Sequence, residues 1–174
     1  MTKKTVETTQ VYRVYIRASA QAVWDAITKP EWTAKYGYGG RGVYDLRPGG
    51  AYRGHTSDEM KKAGAKRGGN VPDIGIEGEV LECNPPRKLV LRWHMVMDAG
   101  TSAEPSTRLT YEIETTPGGV SRLTLIHELE GAPKAAAILS GEFEAQGAGG
   151  GWSWVLSDLK TLLETGTAFS RGAA

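Results

Sequence analysis

The sequence predicts an α+β domain in which a curved antiparallel β-sheet wraps around a long C-terminal α-helix. Two features lead to this fold class. Several short segments alternate apolar and polar residues between Gly- and Pro-rich turns, which is typical of an antiparallel meander. Residues 151–165 instead repeat apolar side chains at helical spacing, with polar residues on the opposite side. Because one face of the sheet is apolar, we expect this amphipathic helix to cover it.

The first part of the chain predicts a strand followed by two short helices. Residues 11–17 alternate and are rich in β-branched and aromatic types, so we expect a half-buried strand there. Ser19 stands at the N-cap of a helix over 20–28, because its hydroxyl can accept a hydrogen bond from a first-turn N–H group. Pro30 cannot continue that helix and is well placed at the start of a second one over 30–35.

Six more strands are expected between these helices and the last one. Their ranges are 43–47, 51–56, 74–83, 88–97, 106–115 and 121–130. Residues 57–73 are polar, basic and Gly-rich, which predicts a long loop. Residues 133–146 contain helix formers interrupted by Gly141, and form either a separate short helix or an irregular lead-in to the last helix.

The length of 174 residues suits one domain. We expect a flexible N-terminal arm over 1–10, a single domain over 11–166 and a flexible C-terminal tail over 167–174. Gly166 is placed to end the last helix, because glycine accepts the left-handed conformation common at that position.

Composition limits which partners the protein can bind and which cellular compartment suits it. The formal net charge of +1 gives no general attraction for nucleic acid. No uninterrupted apolar run approaches the roughly 18–20 residues that a membrane-spanning helix needs. Cys83 is the only cysteine, so an intramolecular disulfide is impossible and a cysteine-based zinc site is disfavoured. A reducing, cytoplasmic setting fits this composition best.

A series of landmarks, in order along the chain, carries a family resemblance. They are Ile16-Arg17-Ala18-Ser19, the run from Val23 to Glu31, Arg47-Pro48-Gly49-Gly50, Gly78-Glu79-Val80 and Gly151-Trp152. Over most of residues 11–165 the sequence resembles the START-like SRPBCC superfamily, and within it the branch of heat-shock-protein ATPase activator homologues. The resemblance implies a helix-grip fold with a cavity between sheet and C-terminal helix. That superfamily includes lipid and hormone binders and polyketide aromatase/cyclases, so the resemblance is specific for fold and not for function.

Aromatic residues come from nearly every predicted element. Part of them fill the core, and we expect the rest to line a ligand cavity, with Met95 adding adaptable apolar surface. The expected ligand-binding residues are Trp24, Tyr36, Tyr52, Trp93, Met95, Tyr111, His127, Trp152 and Leu156. No cofactor is expected. No metal site is expected either, because His94 and His127 face opposite sides of the sheet.

His127 is the titratable residue to which the sequence assigns two alternative roles. It lies between Leu125 and Leu129 on the apolar face of the last strand. It is either a core histidine bonded to a tyrosine or to the backbone, or an acid–base group that acts on a bound molecule.

Three functions remain from the sequence. The leading hypothesis is a protein that binds a small hydrophobic or aromatic molecule between helix and sheet. The second is a cyclase- or hydrolase-like enzyme in which His127 and Tyr111 act as an acid–base pair. The third is a co-chaperone-like interaction module, or a homodimer, that uses the basic 57–73 segment to contact a protein partner.

Overall fold

The structure, a computed structural model, describes residues 8–147 and 149–171. In chain order its elements are β1 (Thr9–Ile16), α1 (Ala20–Thr28), α2 (Pro30–Thr33), β2 (Arg41–Tyr44), β3 (Ala51–His55), α3 (Asp58–Lys66), β4 (Ile74–Asn84), β5 (Lys88–Met95), α4 (Ala99–Ser102), β6 (Thr107–Thr116), β7 (Val120–Glu128), α5 (Pro133–Leu139) and α6 (Gly151–Thr165), with 3₁₀ turns at Glu144–Gln146 and Phe169–Arg171. The strands form one antiparallel sheet in the order β1-β7-β6-β5-β4-β3-β2. This confirms the predicted fold class, a curved sheet around a long C-terminal helix with two short helices after the first strand.

The core forms where the apolar face of the sheet meets α6 and α1. Leu89, Leu109 and Leu125 come from three neighbouring strands and are fully buried, and they belong to the same apolar cluster as Leu159 and Leu162 of α6. Alternation along the strands therefore places the dry face as the sequence predicts. Helix α6 packs most closely against β1, while β3 to β5 contribute to the cavity described below.

Helix α1 shows how local sequence fixes an element. Its bounds are the predicted ones, and the Ser19 Oγ accepts a hydrogen bond from the Ala22 N–H at 3.1 Å. Pro30 begins α2, which ends at Thr33. Strand β2 lies two residues earlier than predicted, and the turn at 47–50 connects it to β3.

The sheet bends in its second half. The pairing of β3 with β4 shifts register between Gly54 and His55, and that of β4 with β5 shifts between Val80 and Glu82. Such bulges bend a strand and increase its twist. Both lie in the half of the sheet that lines the cavity, so they help curve it around the space beside α6.

The prediction of a loop over 57–73 is wrong, because the segment contains helix α3. Ser57 caps the helix by accepting from the Met60 N–H at 3.2 Å, and Asp58 and Glu59 occupy its first turn. The helix has no buried residue, and Met60, Ala63 and Ala65 are too few and too small to form the broad apolar stripe of a packed helix. Its polar capping signals are what define it.

Residues 168–170, within the segment 167–174 that the sequence predicts as a flexible tail, contact α6. Ala168 is buried, and the Ser170 N–H donates to Asp158 Oδ1 at 3.2 Å. Phe169 packs edge-to-face on Trp154, with ring centroids 4.8 Å apart. The chain folds back because a fully buried carboxylate on α6 needs donors and an exposed indole offers apolar surface. Residues 172–174 lie outside the described residues.

At the other end, β1 begins inside the segment predicted as an arm. Gln10 is buried, and its Nε2 donates to the Ala136 carbonyl at 2.9 Å. The ladder with β7 starts at Thr9, which pairs with Glu128. Residues 9 and 10 of the predicted arm thus pair with the sheet, and residues 1–7 lie outside the described residues.

Two short helices remain: α4, which the sequence does not predict, and α5, which is one of two predicted alternatives. Helix α4 follows β5, which ends at Met95, and the Asp98 and Thr101 side chains cap it reciprocally. Of the two alternatives for 133–146, the structure has the separate short helix, α5, followed by the turn at 144–146. Within the described parts of the chain, none of the helices has the length and apolar character to cross a bilayer.

Candidate ligand cavity

A cavity of about 720 Å³ lies between the second half of the sheet and α6, with α3 at its mouth. Its inner walls come from β3 to β6 and α6, and its mouth from α3, the loop after α2 and the C-terminal 3₁₀ turn. Aromatic, arginine and methionine side chains line it, among them Tyr36, Arg41, Tyr44, Tyr52, Arg67, Trp93, Met95, Tyr111, Trp152 and Arg171. A smaller hollow of about 470 Å³ lies beside α4 and α5.

Two indoles and a phenol form the inner wall. Trp152 of α6 stands edge-to-face with Tyr111 of β6, with ring centroids 6.5 Å apart, and lies 6.4 Å from the ring of Trp93 of β5. The three rings are almost fully buried. They present a rigid apolar surface that matches planar or bulky apolar molecules.

Four tyrosines converge on the cavity: Tyr36, Tyr44, Tyr52 and Tyr111. Tyr44 stacks on Tyr52 at 4.4 Å between ring centroids. Burial raises the pKa of all four phenols, and each is further influenced by at least one of the others or by a neighbouring group. All four are therefore neutral hydrogen-bonding groups at physiological pH.

The four hydroxyls differ in how far the protein uses them. The Tyr36 hydroxyl donates to the Ala26 carbonyl at 3.0 Å, so its proton is committed. The pKa of Tyr52 rises through burial, and the adjacent Tyr44 hydroxyl and Trp93 indole act in the opposite direction. Among the described residues, the Tyr111 hydroxyl has no hydrogen-bond partner. A polar atom of a bound molecule can therefore pair with Tyr111 without displacing a protein group.

His127 lies behind this wall and does not line the cavity. The Trp152 Nε1–H donates to His127 Nδ1 at 3.1 Å, and His127 Nε2 lies 2.8 Å from Thr107 Oγ1. The Thr107 hydroxyl itself donates to the Trp93 carbonyl at 2.9 Å, so its oxygen accepts from His127 Nε2–H. These partners fix the Nε2-protonated tautomer and use both ring nitrogens.

The electrostatics of His127 agree with that geometry. The side chain is fully buried, and this desolvation lowers its pKa from 6.5 to about 3. The imidazole is therefore neutral at physiological pH. Of the two alternatives that the sequence leaves open, the structure has the core histidine, although its partners are an indole and a threonine instead of a tyrosine or the backbone.

Six of the nine expected ligand-binding residues line the cavity. They are Tyr36, Tyr52, Trp93, Met95, Tyr111 and Trp152. Trp24, Leu156 and His127 do not line it, because all three are buried in the core beside it. Alternation and helical spacing assign a residue to a face, but they do not separate the core end of that face from the cavity end.

Sequence reasoning missed most of the mouth. Met60 and Ala63 of α3, Arg67 after it and Arg171 near the C-terminus all line the cavity. The Ser57 cap followed by Asp58 and Glu59 is the signal that reveals α3. No local signal reveals Arg171, because its position depends on a contact with α6.

Polar contacts hold α3 at the mouth. The Ser57 hydroxyl donates to the Tyr38 carbonyl at 2.7 Å, and Arg67 Nη1 donates to the Gly147 carbonyl at 2.6 Å. Lys61 pairs with Asp73 on the exposed side. Two cations of the basic 57–73 segment, which the third hypothesis assigns to a protein partner, thus make contacts within the chain itself.

Histidines and acids do not gather into a metal site in the part of the chain that the structure describes. His55 lines the cavity, whereas His94 does not. His94 pairs in register with Glu77, on the face opposite Trp93.

The antiparallel sheet that wraps a C-terminal helix, with an aromatic cavity between them, defines a helix-grip protein. The profile of the family described as Activator of Hsp90 ATPase homolog 1-like protein matches residues 17–164. The chain therefore belongs to this family, as the sequence resemblance indicates.

Solved structures share the fold at low sequence identity. The protein encoded by gene BPP1335 from Bordetella parapertussis is 21% identical over 97% of this chain and 80% of its own, with a TM-score of 0.64. CalU16 from Micromonospora echinospora is 20% identical over 79% and 69%, with a TM-score of 0.54. PFC0360w, an HSP90 activator from Plasmodium falciparum, is 16% identical over 89% and 95%, with a TM-score of 0.59. No curated protein is similar enough to this chain to count as a match.

Proposed function

We propose that this protein binds a small apolar molecule with an aromatic or similarly planar body in the cavity between sheet and α6. The observation that carries the proposal is the cavity of about 720 Å³ walled by Trp93, Tyr111 and Trp152. Its volume lies within the roughly 300–1,000 Å³ typical of small-molecule sites. A mostly apolar lining with a few convergent hydroxyls is the usual composition of such sites.

The wall is built for binding, because its supporting groups are already satisfied. His127 uses both ring nitrogens to hold Trp152 and Thr107 in place. Rigid side chains lose little conformational entropy when a ligand packs on them. Tyr111 then offers a neutral hydroxyl for one polar atom of that ligand.

The same geometry disfavours the His127–Tyr111 enzyme hypothesis. An acid–base histidine needs a free nitrogen within reach of the reacting atoms and a pKa near the working pH. Both nitrogens of His127 are engaged, and its pKa is lowered to about 3. A small-molecule carrier needs neither a free histidine nitrogen nor a pKa near the working pH, so it fits the site better. A cytoplasmic setting suits the single cysteine of such a carrier.

The test compares two tryptophan substitutions of equal size. Ile76→Trp adds volume to the cavity wall on β4, whereas Ile126→Trp adds the same volume on β7 outside the cavity. The probe is N-phenyl-1-naphthylamine, a neutral fluorescent molecule. We expect the wild type and Ile126→Trp to bind it, and Ile76→Trp to bind at least about tenfold more weakly.

Native mass spectrometry of the purified protein supplies a second measurement. We expect a retained small molecule in the wild type and in Ile126→Trp, and none in Ile76→Trp. Equal probe binding by all three proteins would place the binding surface outside the cavity and overturn the proposal. Absence of both probe binding and retained molecule in the wild type would do the same.

A further inference from the structure

The C-terminal 3₁₀ turn brings a guanidinium group to the mouth of the cavity. Asp158 of α6 is fully buried and accepts from the Gly37 N–H at 2.8 Å, from the Ser170 N–H at 3.2 Å and from the Ser170 hydroxyl. This carboxylate fixes the turn to the helix and to the loop after α2. Arg171 follows Ser170 in this turn, so the turn places Arg171 among the side chains that line the cavity.

Arg171 has one unused edge. Its Nε and Nη2 atoms are shielded from solvent, and neither has a hydrogen-bond partner among the described residues. Its Nη1 lies 3.8 Å from Glu59 Oε1, a loose contact with a mostly exposed carboxylate. Buried donors without acceptors are costly, most of all on a charged group.

The geometry of that edge selects an acceptor. In a guanidinium the Nε–H and one Nη2–H point the same way in one plane, at a spacing that matches the two oxygens of a carboxylate. The group packs against Gly39, whose positive φ of 72° and missing side chain leave room for Nη2. In this position neither atom is open to the cavity, so bidentate pairing requires the Arg171 side chain to turn toward the ligand.

The charges around the mouth favour an anion. Three arginines line the cavity, Arg41, Arg67 and Arg171, against two carboxylates, Glu59 and Asp98. The Asp98 carboxylate is occupied, because it accepts the Thr101 N–H at 2.8 Å in the cap of α4. Arg67 donates to two main-chain carbonyls, so its positive charge has no carboxylate partner in these contacts.

We propose that the molecule bound in this cavity is a carboxylic acid, with its apolar body against Trp93 and Trp152 and its carboxylate paired with the Nε–Nη2 edge of Arg171. The inference rests on the proposed function and adds the chemical class of the ligand. By turning toward the carboxylate, Arg171 gains the acceptor that both of these donors lack.

Two probes of nearly equal size separate charge from apolar fit. 2-Naphthylacetic acid carries a carboxylate at neutral pH, and 2-naphthylacetamide is its neutral counterpart. Binding of each is measured by calorimetry to the wild type, Arg171→Gln, Arg171→Lys and the control Arg108→Gln. Arg108 pairs with Glu128 and does not line the cavity.

We expect the wild type and Arg108→Gln to bind the acid at least about tenfold more tightly than the amide. Arg171→Gln should lose this preference and keep its affinity for the amide within about twofold. Arg171→Lys should keep part of the preference, because it retains the charge without the bidentate edge. Thermal unfolding checks that each variant keeps its fold.

Each alternative outcome has a distinct meaning. If the wild type binds acid and amide equally well, or if Arg171→Gln keeps the preference for the acid, the carboxylate inference is overturned and cavity binding stands. If the wild type binds neither naphthyl probe, the carboxylate inference falls. Cavity binding falls with it only if N-phenyl-1-naphthylamine and the search for a retained molecule also fail.

Discussion

The inner wall and the mouth of the cavity differ in burial and in how many of their polar groups have hydrogen-bond partners. At the wall, Trp152, His127 and Thr107 form a buried chain of hydrogen bonds in which every polar group is used. At the mouth, α3 has no buried residue and Arg171 keeps two donors without a partner. A satisfied and buried wall gives a fixed shape, whereas a polar and loosely packed mouth can adapt to what enters. From this contrast we infer that stability is concentrated in the wall, and the proposed carboxylate contact lies at the mouth.

The largest expected effect comes from comparing two tryptophans of α6, one in the wall and one outside it, which tests whether the wall is the more stable part. Trp152→Ala removes a buried indole and leaves His127 Nδ1 without its donor, so we expect the free energy of unfolding to fall by about 3–5 kcal/mol. Trp154→Ala removes a partly exposed ring that packs on Phe169, and we expect a loss below about 1.5 kcal/mol. Urea denaturation measures both. Equal losses would show that the wall is not the stable part.

A second prediction uses pH to sharpen the contrast. Burial lowers the pKa of His127 from 6.5 in its ordinary state to about 3, so protons bind the unfolded chain more readily. The stability that neutral His127 contributes is complete above pH 6.5 and is lost as pH falls toward 3. Within that window the slope approaches about 1.4 kcal/mol per pH unit, so we expect a loss of about 1.6 kcal/mol between about pH 6.5 and 5.

The matched variant for this prediction is His127→Gln, which keeps a donor and an acceptor but does not titrate. Its stability is lower throughout, and the His127 part of the pH slope should be absent. Urea denaturation at several pH values compares its slope with that of the wild type, and near-ultraviolet circular dichroism checks the fold. An unchanged slope in the variant would contradict the assignment of a neutral, desolvated imidazole.

The smallest expected effect compares two serine caps. Ser19→Ala removes the cap of α1, which buries Val23 and Trp24, and we expect a global loss of about 1 kcal/mol. Ser57→Ala removes the cap of α3, which buries nothing, and should open that helix locally with a global loss below about 0.5 kcal/mol. Hydrogen exchange of the α3 amides, set beside urea denaturation, separates the two. A global loss from Ser57→Ala equal to that from Ser19→Ala would place α3 within the cooperative core.

Local sequence patterns predicted the helix α1, which buries an apolar face in the core, and missed the helix α3, which buries none. Helix α1 was predictable residue by residue, because a capping serine, an apolar stripe and a following proline all agree. Helix α3 was predicted as a loop, because glycines and lysines over 57–73 outweighed the capping signal at Ser57. The difference is physical, since a helix that buries no face needs few large apolar residues, and a stripe of such residues is the signal that predicts a helix.

The candidate site divides in the same way. Alternation placed Trp93, Tyr111 and His127 on one face of the sheet, and the structure agrees with all three. Only the first two reach the cavity, because the indole of Trp152 lies against His127 and closes it off. Whether a residue on that face reaches the cavity or stays in the core depends on the curvature of the strands and on the packing of neighbouring rings. Both are set by tertiary structure, not by local sequence.

The sequence by itself determined the strands, the helices with apolar stripes and the dry face that joins them, because alternation and helical spacing act over a few residues. Tertiary structure alone decided that His127 is a support and that Arg171 is a cavity residue. The physical reason is that burial of a polar group depends on partners far along the chain: Trp152 for His127, and Asp158, through Ser170, for the turn that carries Arg171.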